Sequence, residues 1–231
     1  MASDSQSTED IGVRGTVRKI FRISDKLAWG GSGSGNIISD LHATFSTSAS
    51  EIEGQHDPAD LVRSLSYPVL QKHYDQFIQP PGHETQSPAT GGIVCGYDAS
   101  GLPFILELAP TGMVSHYEDN GFCAIGSGGA FAGMANALLA HFDLPNKSVS
   151  TGKLVAFRVT NAVIQASAHE VGPPVQLWTI SPDEGAVEIE SDELKVVEGM
   201  VGGWQQTELE SLQVFMNSDG LNPSELPQPS P

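Results

Sequence analysis

The sequence predicts an α+β protein in which pairs of amphipathic helices pack on antiparallel strands. Two observations support this class. Apolar and polar residues alternate in short runs separated by tight turns, which is typical of hairpins rather than βαβ crossovers. Runs with helical spacing stand in pairs before and after the central strands. The predicted order is strand, helix pair, strand meander, helix pair, strand pair and helix. Helices segregated from strands in this way predict a layered sandwich.

The first predicted unit is a hairpin followed by a helix. Residues 19–31, KIFRISDKLAWGG, alternate in polarity and predict two short strands joined by a turn at residues 24–26. A glycine turn over residues 30–35 follows. The next helix has apolar residues at helical spacing, namely Ile37, Ile38, Leu41 and Phe45.

A second helix completes the first pair. Residues 46–55 are mostly polar and predict a loop. Asp57 is a good N-cap, and the proline after it favours a helix start, so we expect a helix from about residue 57 to residue 78. Pro68 lies inside this helix and predicts a kink or a break.

The remaining elements are a strand meander, a second helix pair, a hairpin and a last helix. The predicted strands of the meander are residues 91–98, 102–110, 112–119 and 121–126. The later predictions are helices after Gly128 and over 150–168, a hairpin over 173–190 that turns at 182–185, and a helix over 191–216 weakened by three glycines. We expect one domain over residues 1–216 and a disordered tail over 217–231.

Composition narrows the class of protein. The formal net charge is −17, and such an acidic surface repels nucleic acid and anionic lipid, so neither is an expected partner. No signal sequence and no 18-residue apolar run are present. Cys95 and Cys123 lie in apolar runs and predict buried thiols in a reducing compartment rather than a disulfide. We therefore expect a cytoplasmic protein.

Three kinds of site are disfavoured by the motifs. The glycine turns GGSGSGN and GSGGAFAG match a dinucleotide fingerprint only loosely and do not stand in a βαβ unit, so we expect packing turns. The seven histidines show no zinc-ligand spacing. No serine stands at the centre of a G-x-S-x-G elbow. No cofactor and no metal are predicted.

Four segments in the same order carry a family resemblance. AIGSGGAFAGMANALL (124–139) resembles the signature of proteasome β-type subunits and their bacterial relatives. MASDSQST (1–8) resembles their A-D-x-R-x-T segment, and VRKIFRISDKLAWGGSGSG (17–35) resembles their lysine strand and glycine turn. The strands over 91–126 resemble the central meander. The similarity covers roughly residues 2–190 and implies the four-layer αββα sandwich of N-terminal-nucleophile hydrolases, with the first strand missing.

The resemblance also implies a site. The family nucleophile is the hydroxyl of an N-terminal threonine, and its own α-amine acts as the base. By resemblance Lys19 is the lysine beside this group and Asp4 the aspartate that holds the lysine. Gly33 matches the glycine whose amide forms the oxyanion hole, with Gly31 as the second choice. Ser127 matches the supporting serine, and it is also a candidate helix N-cap.

The chain departs from the family pattern in two respects. Ala168 and Val171 stand where many members have an aspartate and a serine, and His169 or Glu170 are only candidate substitutes. No threonine precedes Asp4, so we expect that Met1 is an internal methionine and that the natural product begins upstream with a threonine-bearing strand; as written, the chain is expected to be inactive.

The expected function is that of a threonine-type peptidase subunit in stacked homo-oligomeric rings, with peptide substrates and an ATP-dependent unfoldase as partner. Two alternatives stay open, a non-catalytic structural subunit and an amidase for small amides.

Overall fold

The computed structural model describes residues 1–9, 12–77, 89–142, 148–167 and 171–217. These residues form two main sheets between two helical layers. The strands are β1 (Ala2–Ser3), β2 (Gln6–Glu9), β3 (Gly12–Thr16), β4 (Ile20–Arg22), β5 (Leu27–Ser32), β6 (Gly91–Tyr97), β7 (Pro103–Leu108), β8 (Val114–His116), β9 (Gln176–Ser181) and β10 (Gly185–Glu188). The helices are α1 (Gly35–Thr47), α2 (Ala49–Glu53), α3 (Ala59–Gln76), α4 (Gly129–Leu139), α5 (Val149–Ala166) and α6 (Ser191–Asn217), with a 3₁₀ turn over Ala140–Phe142.

The larger sheet is an antiparallel meander in the order β4-β5-β6-β7-β8. Its outer face packs on α1, α2 and α3. Trp29 of β5 and Phe45 of α1 are fully buried and meet edge to face, with their ring centroids 5.4 Å apart. Phe21 of β4 stacks on Trp29, with 5.7 Å between the two ring centroids. Burial of such large apolar side chains is the main stabilising term of this layer pair.

The smaller sheet has the order β1-β9-β10 and packs on the second helical layer. Leu177 of β9 and Phe157 of α5 share an apolar cluster with Val197 and Val201 of α6. The β2–β3 hairpin is a separate two-stranded sheet, and it connects β1 to β4. This connection brings the segment after β1 close to the segment before β4.

The α+β sandwich predicted from the sequence is confirmed. The hairpin at residues 20–32, the helix that follows it, the helices after Gly128 and near 150–166, and the hairpin that turns before Gly185 all form as expected. Within the described ranges, no helix is both long and apolar enough to cross a membrane.

Two element predictions were wrong. The predicted loop 46–55 contains helix α2, which the fully buried Ile52 anchors to the core. Residues 121–126 form no strand, and Gly121 and Gly126 adopt positive φ angles of 61° and 80° at the two ends of the segment. Glycines with such angles are typical of tight turns, so turns bound this segment on both sides.

Helices α3 and α6 are continuous at the positions where the sequence predicted a break or a weakening. Pro68 lies inside α3 on the solvent side, where water can reach the carbonyl group that proline leaves without a donor. Helix α6 runs through Gly199, Gly202 and Gly203, each of which costs about 1 kcal/mol relative to alanine. Burial of apolar residues on its inner face offsets that cost. Helix α3 ends at Gln76, two residues before the predicted end. The predicted tail after residue 217 lies outside the described residues.

Candidate functional site

The centre of the site is an ion pair between two segments fifteen positions apart. Lys19 Nζ lies 2.7 Å from Asp4 Oδ1. Asp4 directly follows β1, and Lys19 directly precedes β4, so the β2–β3 hairpin folds the chain back between them. The Lys19 side chain is 23% exposed and the Asp4 side chain 12%, so solvent screens this pair less than a surface pair. The structure thus brings together the lysine and aspartate that the sequence singled out.

Asp4 is fixed by two backbone amides in addition to the lysine. Its Oδ2 accepts hydrogen bonds from the N–H of Gln6 at 2.9 Å and from the N–H of Gly172 at 3.3 Å. A β-carbon at position 172 would lie 2.0 Å from Gln6 Oε1, so a larger residue there would force the Gln6 side chain to move. The carboxylate therefore keeps one orientation, with Oδ1 toward the lysine and Oδ2 toward the backbone.

Lys19 is fixed through its backbone as well as its side chain. Gln176, the first residue of β9, accepts hydrogen bonds at Oε1 from the N–H groups of Lys19 at 3.0 Å and Ile20 at 3.3 Å. The carbonyl of Lys19 accepts from the N–H of Gly31 at 3.1 Å. Gly31, the second choice for an oxyanion donor, therefore already uses its amide within the sheet.

Gly33 lies at a turn that only glycine can form. Its φ is +122°, and an added β-carbon would stand 2.2 Å from the carbonyl oxygen of Ala89. The next amide, that of Ser34, donates to Thr90 Oγ1 at 3.0 Å. Thr90 thus holds this turn at the end of β5. Gly30, Gly31 and Ser32 line the adjacent cavity, whereas Gly33 is not among its lining residues.

Ser127 lies at the opposite wall of the same cavity. It is exposed toward the cavity, and its neighbour Gly126 approaches β5 so closely that a β-carbon there would meet Ser32 Oγ at 2.6 Å. The expectation that Ser127 caps α4 was wrong. Gly128 holds the N-cap position, and no side chain caps this helix. The turn is shaped by close backbone packing and not by a serine cap.

A cavity of about 390 Å³ adjoins the ion pair. Residues 1–4, β5, the segment 121–128 and one face of α5 form its walls, and most of the lining side chains are apolar. Cys95 and Cys123 both line it as free thiols. Burial raises the pKa of Cys95 to about 11, and burial together with Glu107 raises the pKa of Cys123 to about 12. A raised pKa disfavours the thiolate, which is the nucleophilic form, at neutral pH.

One of the two departures from the family pattern, Val171, directly precedes Gly172, whose N–H contacts Asp4. Val171 is buried, 6% exposed, and its N–H donates to the carbonyl of Ser167. It therefore offers an apolar side chain at the position expected for a serine. Ala168, His169 and Glu170 lie outside the described residues.

The family model described as "Proteasome subunit" matches residues 1–167, which include Asp4, Lys19, Gly33 and Ser127. The chain belongs to the proteasome subunit family. The search of curated proteins finds no match. The proteasome match ends before Gly172 and Gln176, which contact Asp4 and the Lys19 backbone.

Sequence reasoning missed three contributors to this proteasome-family site, namely Gln6, Gly172 and Gln176. They act through backbone amides or by holding backbone amides, and such roles leave no local motif. The one available signal was the polar Gln176 between the apolar residues of a predicted strand start.

Proposed function

We propose that this proteasome-family chain is a subunit of a threonine-type peptidase and that Asp4 and Lys19 belong to its catalytic centre. The 2.7 Å pair supports this proposal most strongly, because its carboxylate is also held by two amides at the edge of a cavity. A surface ion pair needs no such fixation and rarely has it.

The chemistry is acyl transfer to a threonine hydroxyl. The hydroxyl oxygen attacks the peptide carbonyl carbon, and the threonine's own α-amine accepts the hydroxyl proton. The Lys19 ammonium places positive charge beside the nucleophile, and Asp4 keeps the ammonium in place. An amide at the Gly33 turn donates to the oxyanion. The amine then returns the proton to the leaving amino group, and water hydrolyses the ester.

The nucleophile in this proposal is a threonine with a free α-amine beside Lys19. The cavity next to the ion pair is where such a residue and the end of a bound peptide would lie. Met1 to Ser3 occupy one wall of it in the present chain.

The proposed context is a ring of copies of this subunit in the cytoplasm. Proteasome subunits generally assemble into oligomeric rings. We propose peptides or unfolded chains as substrates and an ATP-dependent unfoldase as the partner that delivers them.

One observation favours a second candidate, a non-catalytic structural subunit of the same ring. Val171 is buried and apolar at the position just before Gly172, where many members of the family have a serine. A subunit that only completes a ring has no need for a polar group there.

A matched pair of variants separates the two candidates. Lys19→Ala and Lys153→Ala each remove a lysine from an ion pair, and the two lysines are similarly exposed, at 23% and 21%. The protein is purified from its natural source, sized by light scattering and assayed with a mixed pool of fluorogenic peptides. The peptidase proposal predicts that Lys19→Ala lowers turnover by several orders of magnitude and that Lys153→Ala does not. Equal turnover in all three proteins, or none in the native particle, favours the structural subunit.

A further inference from the structure

We propose that Gln176 is the positioning residue for Lys19, an inference that rests on the peptidase function proposed above. Its side-chain amide uses its whole hydrogen-bonding capacity on the two segments that carry the ion pair. Oε1 accepts from the N–H groups of Lys19 at 3.0 Å and Ile20 at 3.3 Å, and Nε2 donates to Ser5 Oγ at 2.9 Å and to the carbonyl of Val17 at 2.6 Å.

The segment that carries Lys19 depends on this amide because it lies between strands. β3 ends at Thr16 and β4 begins at Ile20, so residues 17–19 have no regular ladder of their own. A backbone bond of 2.7 Å from the N–H of Val17 to the carbonyl of Ser5 ties one end of the segment. Gln176 ties the other end, at the lysine itself.

The same amide also reaches the aspartate side of the pair. Ser5 follows Asp4 directly, is buried, and receives the Gln176 Nε2 donor on its hydroxyl. Gln176 is in register with Ser3 across the β1–β9 pair. One side chain thus fixes the spacing between the segment that carries Asp4 and the segment that carries Lys19.

The bonding pattern specifies an amide of this length. Oε1 faces two N–H donors, whereas Nε2 faces a carbonyl and a hydroxyl, so a flipped amide or a carboxylate would place like groups against each other. Leucine at this position would leave four polar groups without their hydrogen bonds to the Gln176 amide. Asparagine is one methylene shorter, too short to bond both Ser5 and the Lys19 segment. A displacement of about 1 Å in a catalytic group can lower a rate on the order of 100-fold.

Amine reactivity measures this positioning without any need for enzyme activity. Acetic anhydride at limiting concentration acylates each lysine at a rate set by its exposure and pairing, and mass spectrometry of the digest gives the rates. Lys153, paired with Glu193 at 2.6 Å and similarly exposed, serves as the internal reference. We expect Gln176→Leu and Gln176→Asn to raise Lys19 acylation several-fold at an unchanged Lys153 rate. Gln206→Leu, an exposed glutamine on α6, is the matched control and should leave both rates unchanged.

Activity supplies the second readout. In the assembled protein we expect both Gln176 variants to lower kcat about 100-fold while KM changes less than about two-fold, because substrate contacts remain and only the lysine is displaced. Gln176→Asn carries the test if Gln176→Leu does not fold.

Two results would overturn the positioning role. Unchanged Lys19 acylation in the folded variants is one, and a parallel rise at Lys19 and Lys153 with a lower Tm, which marks general loosening, is the other. Increased Lys19 acylation in a protein whose native form cleaves no peptide supports the positioning and refutes the peptidase function. Native peptidase activity that neither variant lowers supports the peptidase function and refutes the positioning role of Gln176.

Discussion

Removal of either partner of the Asp4–Lys19 pair should have unequal effects on stability. Lys19→Ala leaves the Asp4 carboxylate with its two amide donors, Gln6 and Gly172. Asp4→Ala instead leaves a partly buried ammonium and two amides without their acceptor. We therefore expect Asp4→Ala to destabilise the fold more strongly, even though both variants break the same ion pair.

The magnitudes follow from the number of bonds lost. A hydrogen bond to a charged group contributes about 1.5–3 kcal/mol, and exposure of 12–23% reduces this only in part. We expect a loss of about 3 kcal/mol for Asp4→Ala and about 1 kcal/mol for Lys19→Ala. For a chain of this size, 1 kcal/mol corresponds to about 2–4 °C in Tm, so the expected decreases are about 6–12 °C and about 2–4 °C.

Differential scanning calorimetry at pH 7.5 in one buffer measures both values. Lys153→Ala serves as the control, because its partner Glu193 is half exposed and loses little. Equal decreases in Tm for Asp4→Ala and Lys19→Ala, or a larger one for Lys19→Ala, would refute the assignment of the two amides to Asp4.

Three further predictions concern the fold around the site. Gly33→Ala should lower stability by at least about 3 kcal/mol, since its β-carbon would meet a carbonyl oxygen at 2.2 Å, whereas Gly35→Ala, with open space around it, should not; urea unfolding compares the two. The hydrogen bond with Glu118, together with the charges of nearby carboxylates, raises the pKa of His116 above its ordinary value of 6.5. Its stabilising effect is therefore present below pH 6.5 and is lost as pH rises through the folded pKa, so the Tm difference caused by His116→Gln should shrink toward pH 8. Arg158→Ala should cost about 1–3 kcal/mol, because its guanidinium makes a bidentate ion pair and lies 3.9 Å from an indole ring centroid, while the exposed Arg63→Ala should cost under about 1 kcal/mol by calorimetry.

Local patterns in the sequence were sufficient for most of the fold. The alternation over residues 19–31 predicted the β4–β5 hairpin, and the spacing of Ile37, Leu41 and Phe45 predicted the buried face of α1. Helix α2 was missed because Ile52 alone supplies its buried contact within a polar segment. One apolar residue has no periodicity, so only the tertiary fold reveals that this turn is helical.

The site was predictable to a smaller extent. Asp4 and Lys19 followed from a family resemblance and meet as expected. Gln176 lies 157 positions from Lys19 in the chain, and its role depends on the pairing of β9 with β1. No local pattern encodes a contact of that range. Gly33 and Ser127 remain predictions, because an oxyanion donor and a supporting hydroxyl are defined by a bound substrate.

The most direct test of the peptidase function is identification of the nucleophile. A peptide β-lactone acylates an activated hydroxyl and leaves an ester, whose position tandem mass spectrometry can assign in the protein purified from its natural source. The proposed peptidase function predicts one adduct, on an N-terminal threonine, that is absent from the Lys19→Ala protein assembled to the same particle size. An adduct on Cys95 or Cys123, or none on the native particle, would contradict it.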